Sequence, residues 1–252
     1  MEQRIIKGLE NVEKDDLIFL CFTHAGAGAS FYYRWKKPLQ YLCKVCQVQL
    51  AGREDRADEE PYTDMFTPAE EIIEILMAFD NRLVLFGHSM GTKLLYEVEK
   101  GLEKRGRKSE LVIVSACPPP HVKEKNPIGK LPEEEFIKEL IKLNGIPKLM
   151  QENKEILNMF LPVLRADFLL SEGYVCKEKV ELKSPIKVMG GLEDSEATQS
   201  ELLLWSEYGR DDFSFRIFEG DHFYIREHEK EVLKQIEKFI LETERKNGKL
   251  SA

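Results

Sequence analysis

Residues 82–91 read Arg82-Leu83-Val84-Leu85-Phe86-Gly87-His88-Ser89-Met90-Gly91, an apolar run that stops at a serine bracketed by glycines. The pattern predicts a buried strand, a tight turn and a helix start, because Leu94, Leu95, Val98 and Leu102 follow at helical spacing between Thr92 and Leu102. In Gly87-x-Ser89-x-Gly91 the serine occupies a strained corner. Residues without bulk are needed two positions either side, where the strand and the outgoing helix crowd each other. The corner lifts Ser89 Oγ clear of the sheet, and N–H groups of the first helical turn face negative charge developing beside it. Ser89 is therefore a candidate nucleophile. A bare Gly-x-Ser-x-Gly match also fits an ordinary glycine-rich turn, so the weight lies in the strand before it and the helix after it.

Upstream, Leu17 to Phe22 is an unbroken apolar run suited to a parallel strand buried on both faces, and it empties into Thr23-His24-Ala25-Gly26-Ala27-Gly28-Ala29-Ser30. A backbone so bare can approach a ligand closely. In a serine hydrolase the loop after this early strand supplies one N–H of the oxyanion hole and the residue after the nucleophile the other, which here means Ala25 and Met90. A phosphate-cradling loop is the competing reading, but no Lys-Ser/Thr follows as in a P-loop and Gly-x-Gly-x-x-Gly is absent. A helix from Phe31 to Leu42, a strand from Val45 to Leu50 and a helix opening at Thr67-Pro68-Ala69 come next, the last with Ile72, Ile75, Leu76 and Phe79 as its apolar face. Leu111 to Ala116 is a further strand, closed by Pro118-Pro119-Pro120. Such alternation indicates an α/β fold, a mostly parallel sheet flanked by helices, with chemistry at the carboxyl ends of the strands.

Between Pro120 and Pro185 the alternation breaks into consecutive helical patterns, with Phe136, Leu140 and Leu143 and then Leu157, Phe160, Leu161, Leu164 and Phe168. Residues 120–185 are read as a helical insertion within one domain spanning 1–252. Rooted at the active-site end of the sheet, it is expected to cover Ser89 as a lid, with Leu157 and Phe160 facing a channel. Ile186 to Met189 resumes the sheet and breaks at Gly190-Gly191-Leu192-Glu193-Asp194, and Phe213 to Phe218 ends in Glu219-Gly220-Asp221-His222-Phe223. The acids and His222 thus sit just past strand ends, as Ser89 does, in the chain order serine, acid, histidine of the α/β-hydrolase fold. Val232, Ile236, Phe239 and Ile240 mark a last helix, and Glu244 to Ala252 reads as a frayed tail.

With 252 residues and 42% hydrophobic content the chain can build a sizeable core, and a formal net charge of −8 speaks against nucleic acid or an anionic membrane as partner. The N-terminus lacks the apolar stretch of a signal peptide, and the longest apolar runs are too short to cross a bilayer, so a cytoplasmic monomer is expected. Cys21, Cys43, Cys46, Cys117 and Cys176 show no disulfide spacing. Cys43-Lys-Val-Cys46 has zinc or redox spacing, but on a strand its thiols point to opposite faces. His222 and His228 do not form a His-x-x-Glu-His motif, so neither a metal nor a cofactor is expected.

Several segments together resemble the type II thioesterases that accompany nonribosomal peptide and polyketide synthetases, a group similar to the medium-chain thioesterase of fatty acid synthesis. Phe22-Thr23-His24-Ala25-Gly26 with Ala29-Ser30-Phe31-Tyr32 resembles the family's Phe-Pro-His-Ala-Gly-Gly start, Thr23 replacing proline and Ala27 the second glycine. Gly52-Arg53-Glu54-Asp55-Arg56 is similar to its Pro-Gly-Arg-x-x-Arg stretch, with Ala51 where proline is usual, and Leu161-Pro162-Val163-Leu164-Arg165-Ala166-Asp167 resembles its Leu-Pro-x-Leu-Arg-Ala-Asp. Gly191-x-x-Asp194 and Gly220-Asp221-His222-Phe223 look like its acid and base segments, which selects Asp194 over Glu193 and Asp221 as partner of His222. The resemblance implies an α/β-hydrolase that cleaves acyl thioesters from the phosphopantetheine arm of acyl or peptidyl carrier proteins, the arm belonging to the substrate. Arg53, Arg165 and Asp167 are expected to hold loops and insertion by ion pairing.

Read without the resemblance, the residues do not distinguish a thioester from an oxygen ester, since both pass through the same tetrahedral intermediate. A fatty acyl thioesterase or a small-ester esterase is the alternative. A non-catalytic hydrolase fold serving as a binding protein is more remote, because such proteins usually lose a triad member.

Overall fold

The computed structural model describes residues 5–146, 148–209 and 213–249. The apolar runs become strands β1 (Ile6–Lys7), β2 (Leu17–Phe22), β3 (Lys44–Val48), β4 (Arg82–His88), β5 (Leu111–Ser115), β6 (Ile186–Gly191) and β7 (Ser214–Phe218). They form one seven-stranded sheet in the order β1-β3-β2-β4-β5-β6-β7, parallel throughout except for the antiparallel β1–β3 pair at its edge. This is the α/β-hydrolase architecture. β1 was not legible in advance, because two residues are too short to show a period. The helices are α1 (Tyr33–Leu39), α2 (Phe66–Met77), α3 (Met90–Lys104), α4 (Glu133–Lys142), α5 (Lys148–Gln151), α6 (Lys154–Gly173), α7 (Gln199–Leu202), α8 (Tyr224–Glu227) and α9 (Glu229–Lys246). None among the described residues is long and apolar enough to cross a membrane.

Strand alternation sorts the core into two layers. Ile18, Leu20 and Phe22 of β2 join Leu94, Leu95 and Val98 of α3 on one face, while Leu17, Phe19 and Cys21 join Trp35 of α1 and Val232, Ile236 and Phe239 of α9 on the other. Cys46 belongs to the first layer and Cys43 to the second, so the two thiols are separated by the sheet. The helix expected from Phe31 to Leu42 is shorter. A 3₁₀ turn at Ala29–Tyr32 leads into α1, which ends one residue past Pro38, where the missing N–H removes a helical hydrogen bond. On α2 Ile72 and Leu76 are buried, Ile75 and, just past the helix end, Phe79 are partly buried against the same core, and Ile73 is buried as well because the helix also packs on α3. A Cβ at Gly101 would lie 2.2 Å from Ile73 Cδ1. The C-terminal segment is more ordered than a frayed tail: α9 continues to Lys246, and Glu244 accepts from Arg82 Nη1 at 2.5 Å. Residues 250–252 lie outside the described residues.

The insertion lies between β5 and β6 and has a small core of its own, formed by Ile128, Phe136, Leu140, Ile146, Leu157, Leu161 and Leu164. Asn153 caps α6, its Oδ1 accepting from the N–H groups of Glu155 and Ile156, both at 3.1 Å. Among the described residues Arg165 makes no ion pair of the expected kind. It donates to the carbonyls of Gly129 at 2.7 Å and Leu131 at 2.8 Å and lies over the Phe136 ring at 4.3 Å.

The elbow glycines answer to two different neighbours. A Cβ at Gly87 would meet Thr92 Cα at 2.7 Å, which is the expected crowding of strand by outgoing helix. A Cβ at Gly91 would instead meet Phe22 O at 2.3 Å and Thr23 O at 2.7 Å, so α3 begins hard against the end of β2. Gly91→Ala therefore forces backbone apart from backbone and is expected to cost about 3 kcal/mol in urea unfolding. Gly173→Ala, where nothing lies within 4 Å of the added atom, is the control. Equal losses in the two variants would contradict this packing account.

Candidate active site

Ser89 stands at the N-cap of α3 with φ 54° and ψ −127°, a backbone corner that costs an ordinary residue about 1–3 kcal/mol and persists only when its surroundings enforce it. They do. Ser89 N–H donates to Ser115 O at 2.9 Å, Thr92 N–H donates to Ser89 O at 2.9 Å, and Thr92 Oγ1 donates to Gly87 O at 2.8 Å. β4 and β5 thus hold the corner from one side and the first turn of α3 from the other.

The loops after β6 and β7 bring an acid and an imidazole to this corner. His222 Nε2 lies 2.8 Å from Ser89 Oγ, and His222 Nδ1 lies 2.9 Å from Asp194 Oδ2. With a carboxylate at Nδ1 that nitrogen carries the proton, which leaves Nε2 as acceptor for the serine hydroxyl. Asp194 is held in turn by the N–H groups of Glu196 at 2.9 Å and Ala197 at 3.1 Å, both donating to Oδ1. The rival acids face elsewhere. Asp221 accepts from Phe223 N–H at 2.7 Å and from Asn144 Nδ2 at 2.6 Å, and Glu193 is exposed. Gly191 permits the approach of the two loops, since a Cβ there would lie 2.3 Å from Asp221 O.

Ser89, His222, Ala25 and Met90 line a cleft of about 820 Å³, counting the space open to solvent. Its far wall comes from the insertion through Leu140, Leu143, Leu164 and Phe168. Leu157 and Phe160, expected to face it, do not. Leu157 is spent in the insertion's own core, Phe160 points outward with 38% exposure, and α6 reaches the cleft with Leu164 and Phe168 further along. A charged side of the cleft escaped sequence reading altogether: Lys93, Glu124, Glu172 and Glu196. Lys93 is buried and pairs with Glu124, donating also to Ser171 O at 3.0 Å. A lysine four residues past the serine, on the first turn of α3, was the available signal.

Charge at the site is set by opposing effects. Burial works against a charged His222 imidazole. Asp194 outweighs it by charge and hydrogen bond, with Glu196 and Asp221 adding to it, and the His222 pKa is raised above its ordinary value. His24 and His88 are pushed well down, first by burial and then by neighbouring cations and imidazoles, so both stay neutral. Burial pushes the Cys117 thiol, which also lines the cleft, up to about 12, far from a thiolate at neutral pH.

Two measurements test this geometry. Asp194→Asn is expected to lower kcat on the order of 10⁴-fold while Glu193→Gln and Asp221→Asn stay mild, and the reverse ranking would place the acid elsewhere. The imidazole must be neutral to accept a proton, so kcat/KM falls as pH drops through the His222 pKa, with a midpoint above 6.5. In Asp194→Asn the residual activity shows its midpoint at lower pH, and a wild-type midpoint at or below 6.5 would contradict the carboxylate's influence.

Residues 18–240 match the thioesterase domain model. The linear gramicidin dehydrogenase LgrE of Brevibacillus parabrevis is 35% identical over 228 residues, covering 88% of this chain and 87% of its own. The gramicidin S biosynthesis protein GrsT of Aneurinibacillus migulanus is 33% identical over 220 residues, 86% of each chain. Among solved structures, the type II thioesterase BorB from the borrelidin biosynthetic cluster superposes with a TM-score of 0.85 at 31% identity, over 94% of this chain and 98% of its own. A family model matched over most of the chain, relatives aligned nearly end to end and an architecture shared with BorB agree, and the chain belongs to the thioesterase family, among the type II thioesterases of the α/β-hydrolase fold.

Proposed function

We propose that this protein hydrolyses acyl thioesters carried on the phosphopantetheine arm of carrier domains in nonribosomal peptide or polyketide synthesis, clearing stalled or wrongly primed units. The observation that carries the reading is the hydrogen-bonded series Asp194–His222–Ser89 on the floor of a cleft whose far wall belongs to the insertion. The relatives from gramicidin and borrelidin pathways support the choice of substrate.

In the first half-reaction Ser89 Oγ attacks the thioester carbonyl as its proton passes to His222 Nε2. The N–H groups of Ala25 and Met90 hold the oxyanion, and Asp194 steadies the imidazolium. The C–S bond breaks, the sulfur leaves with the proton from His222, and an acyl-serine remains. Water then attacks the acyl-serine, giving its proton to His222. Collapse returns that proton to Ser89 Oγ and releases the carboxylic acid. Carbonyl, thiol and water account for every atom, and the phosphopantetheine arrives as part of the substrate. The insertion acts as a lid over the cleft, and the protein works as a cytoplasmic monomer whose partners are carrier domains rather than nucleic acid or membrane.

The redox name of LgrE raises a second possibility, a dinucleotide-dependent reaction. Gly26-Ala27-Gly28-Ala29-Ser30-Phe31 has phenylalanine where the dinucleotide fingerprint needs its third glycine, which favours hydrolysis.

The test compares an acyl-carrier protein, the matching acyl-CoA and a chromogenic acyl ester. The carrier-bound substrate is expected to give the highest kcat/KM. Ser89→Ala is expected to keep its fold and fall to a residual ~10³ to 10⁴-fold over water. Near-normal turnover by folded Ser89→Ala would overturn the mechanism, and preference for the free ester would make the protein an esterase.

A further inference from the structure

Asp167 of α6 is a carboxylate buried inside the protein, with side-chain exposure of 2%, facing an equally enclosed Arg53 at 6%. Arg53 Nη1 donates to Asp167 Oδ2 at 2.5 Å and Nη2 to Oδ1 at 2.6 Å, a two-pronged pair between the insertion and the loop after β3. The same Asp167 Oδ2 also accepts the N–H of Gly26 at 2.7 Å, and Arg53 Nη1 donates to Ala27 O at 3.1 Å. Both members of the pair therefore grip the loop after β2 that carries Ala25.

That loop is a tight turn. Ala27 N–H donates to His24 O at 3.1 Å, and Gly26 takes φ +78°, as a glycine in the third position of a type II turn does. The His24 carbonyl is turned inward, so the trans peptide it belongs to directs the Ala25 N–H the opposite way. The central peptide, Ala25–Gly26, is the one whose rotation converts a type II turn to type I, and its N–H is the group that Asp167 holds. Leu164, one turn earlier on α6, fills the space beside the same glycine. A Cβ on Gly26 would lie 2.3 Å from Leu164 Cδ2.

We infer that Asp167 is a positioning residue of the reaction: seated α6 sets the Ala25 turn, and with it one donor of the oxyanion hole, so closure of the insertion and readiness for chemistry are coupled. The inference rests on the proposed roles of Ser89 and Ala25. When α6 lifts, the turn loses both the acceptor of Gly26 N–H and the Leu164 contact. Acyl transfer then belongs to the closed state alone.

The test uses the wild-type protein, Asp167→Asn and Asp167→Glu with a short soluble acyl thioester, too small to need the insertion for access. The glutamate variant keeps Arg53 paired while displacing the carboxylate from Gly26. Both variants are expected to lower kcat about ten- to hundredfold with KM within about threefold, and to weaken an alkyl boronate that forms a tetrahedral adduct on Ser89 by the same factor. The acid limb of the pH profile stays in place, since the His222–Asp194 pair is untouched. A folded variant with wild-type kcat and boronate affinity overturns the inference, as does a loss confined to carrier-bound substrate. Hydrogen exchange on the wild type gives a readout independent of variant folding. Boronate binding is expected to slow exchange in residues 23–30 and in α6 together, and protection of the loop alone overturns the coupling. Failure of the wild type to hydrolyse any thioester would instead sink the proposed function.

Discussion

Backbone meets backbone where α3 begins, with Gly91 set against the carbonyls of Phe22 and Thr23 so closely that a single added carbon would overlap them. This contact fixes the distance between the Ser89 corner and the loop carrying Ala25. Two N–H groups from segments far apart in sequence can face one point in space only if their backbones are held at such range. The strained φ of Ser89 follows from the same crowding, since the strand must end and the helix begin within one residue. The sheet order places β2 beside β4 and so makes the contact available, while β6 and β7, further across the sheet, run into the loops of the acid and the base.

Around that point the molecule separates charged from neutral groups with some economy. One imidazole, His222, feels the carboxylates of Asp194, Glu196 and Asp221 and is made more basic, whereas His24 and His88, packed nearby among Phe31, Phe223 and Tyr224, are kept uncharged by burial. Had all three been basic, their mutual repulsion would have undone the effect of Asp194. The cleft beyond them is divided between apolar side chains from the insertion and a charged side at Lys93, Glu124, Glu172 and Glu196.

Much of this was legible beforehand wherever a local pattern carries the information. Leu17 to Phe22 and Leu83 to Phe86 announced themselves as buried strands because both of their faces are apolar, and Ser89, Asp194 and His222 could each be assigned to the far end of a strand. What stayed hidden depends on the company an element keeps. β1 exists only because β3 offers it an edge, Ile73 is buried only because Gly101 of α3 leaves room, and Leu157 turns away from the cleft because the insertion has a core of its own to fill. Ion pairing by Arg53 and Asp167 was expected, but neither their choice of each other nor the grip on Gly26 was, since nothing in a sequence shows which groups a buried carboxylate will accept from.

The position of the insertion in the chain has a consequence for biosynthesis. β5 must find β6 across everything from Ala116 to Pro185, and closing so long a loop carries an entropic cost that adjacent pairings avoid. A chain emerging from the ribosome therefore has β1 to β5 and the Ser89 elbow available before the acid and the base have been translated. Asp194 and His222 both follow the insertion in the chain, so the serine precedes its activators in order of synthesis. A partly made copy carries the serine without the means to activate it.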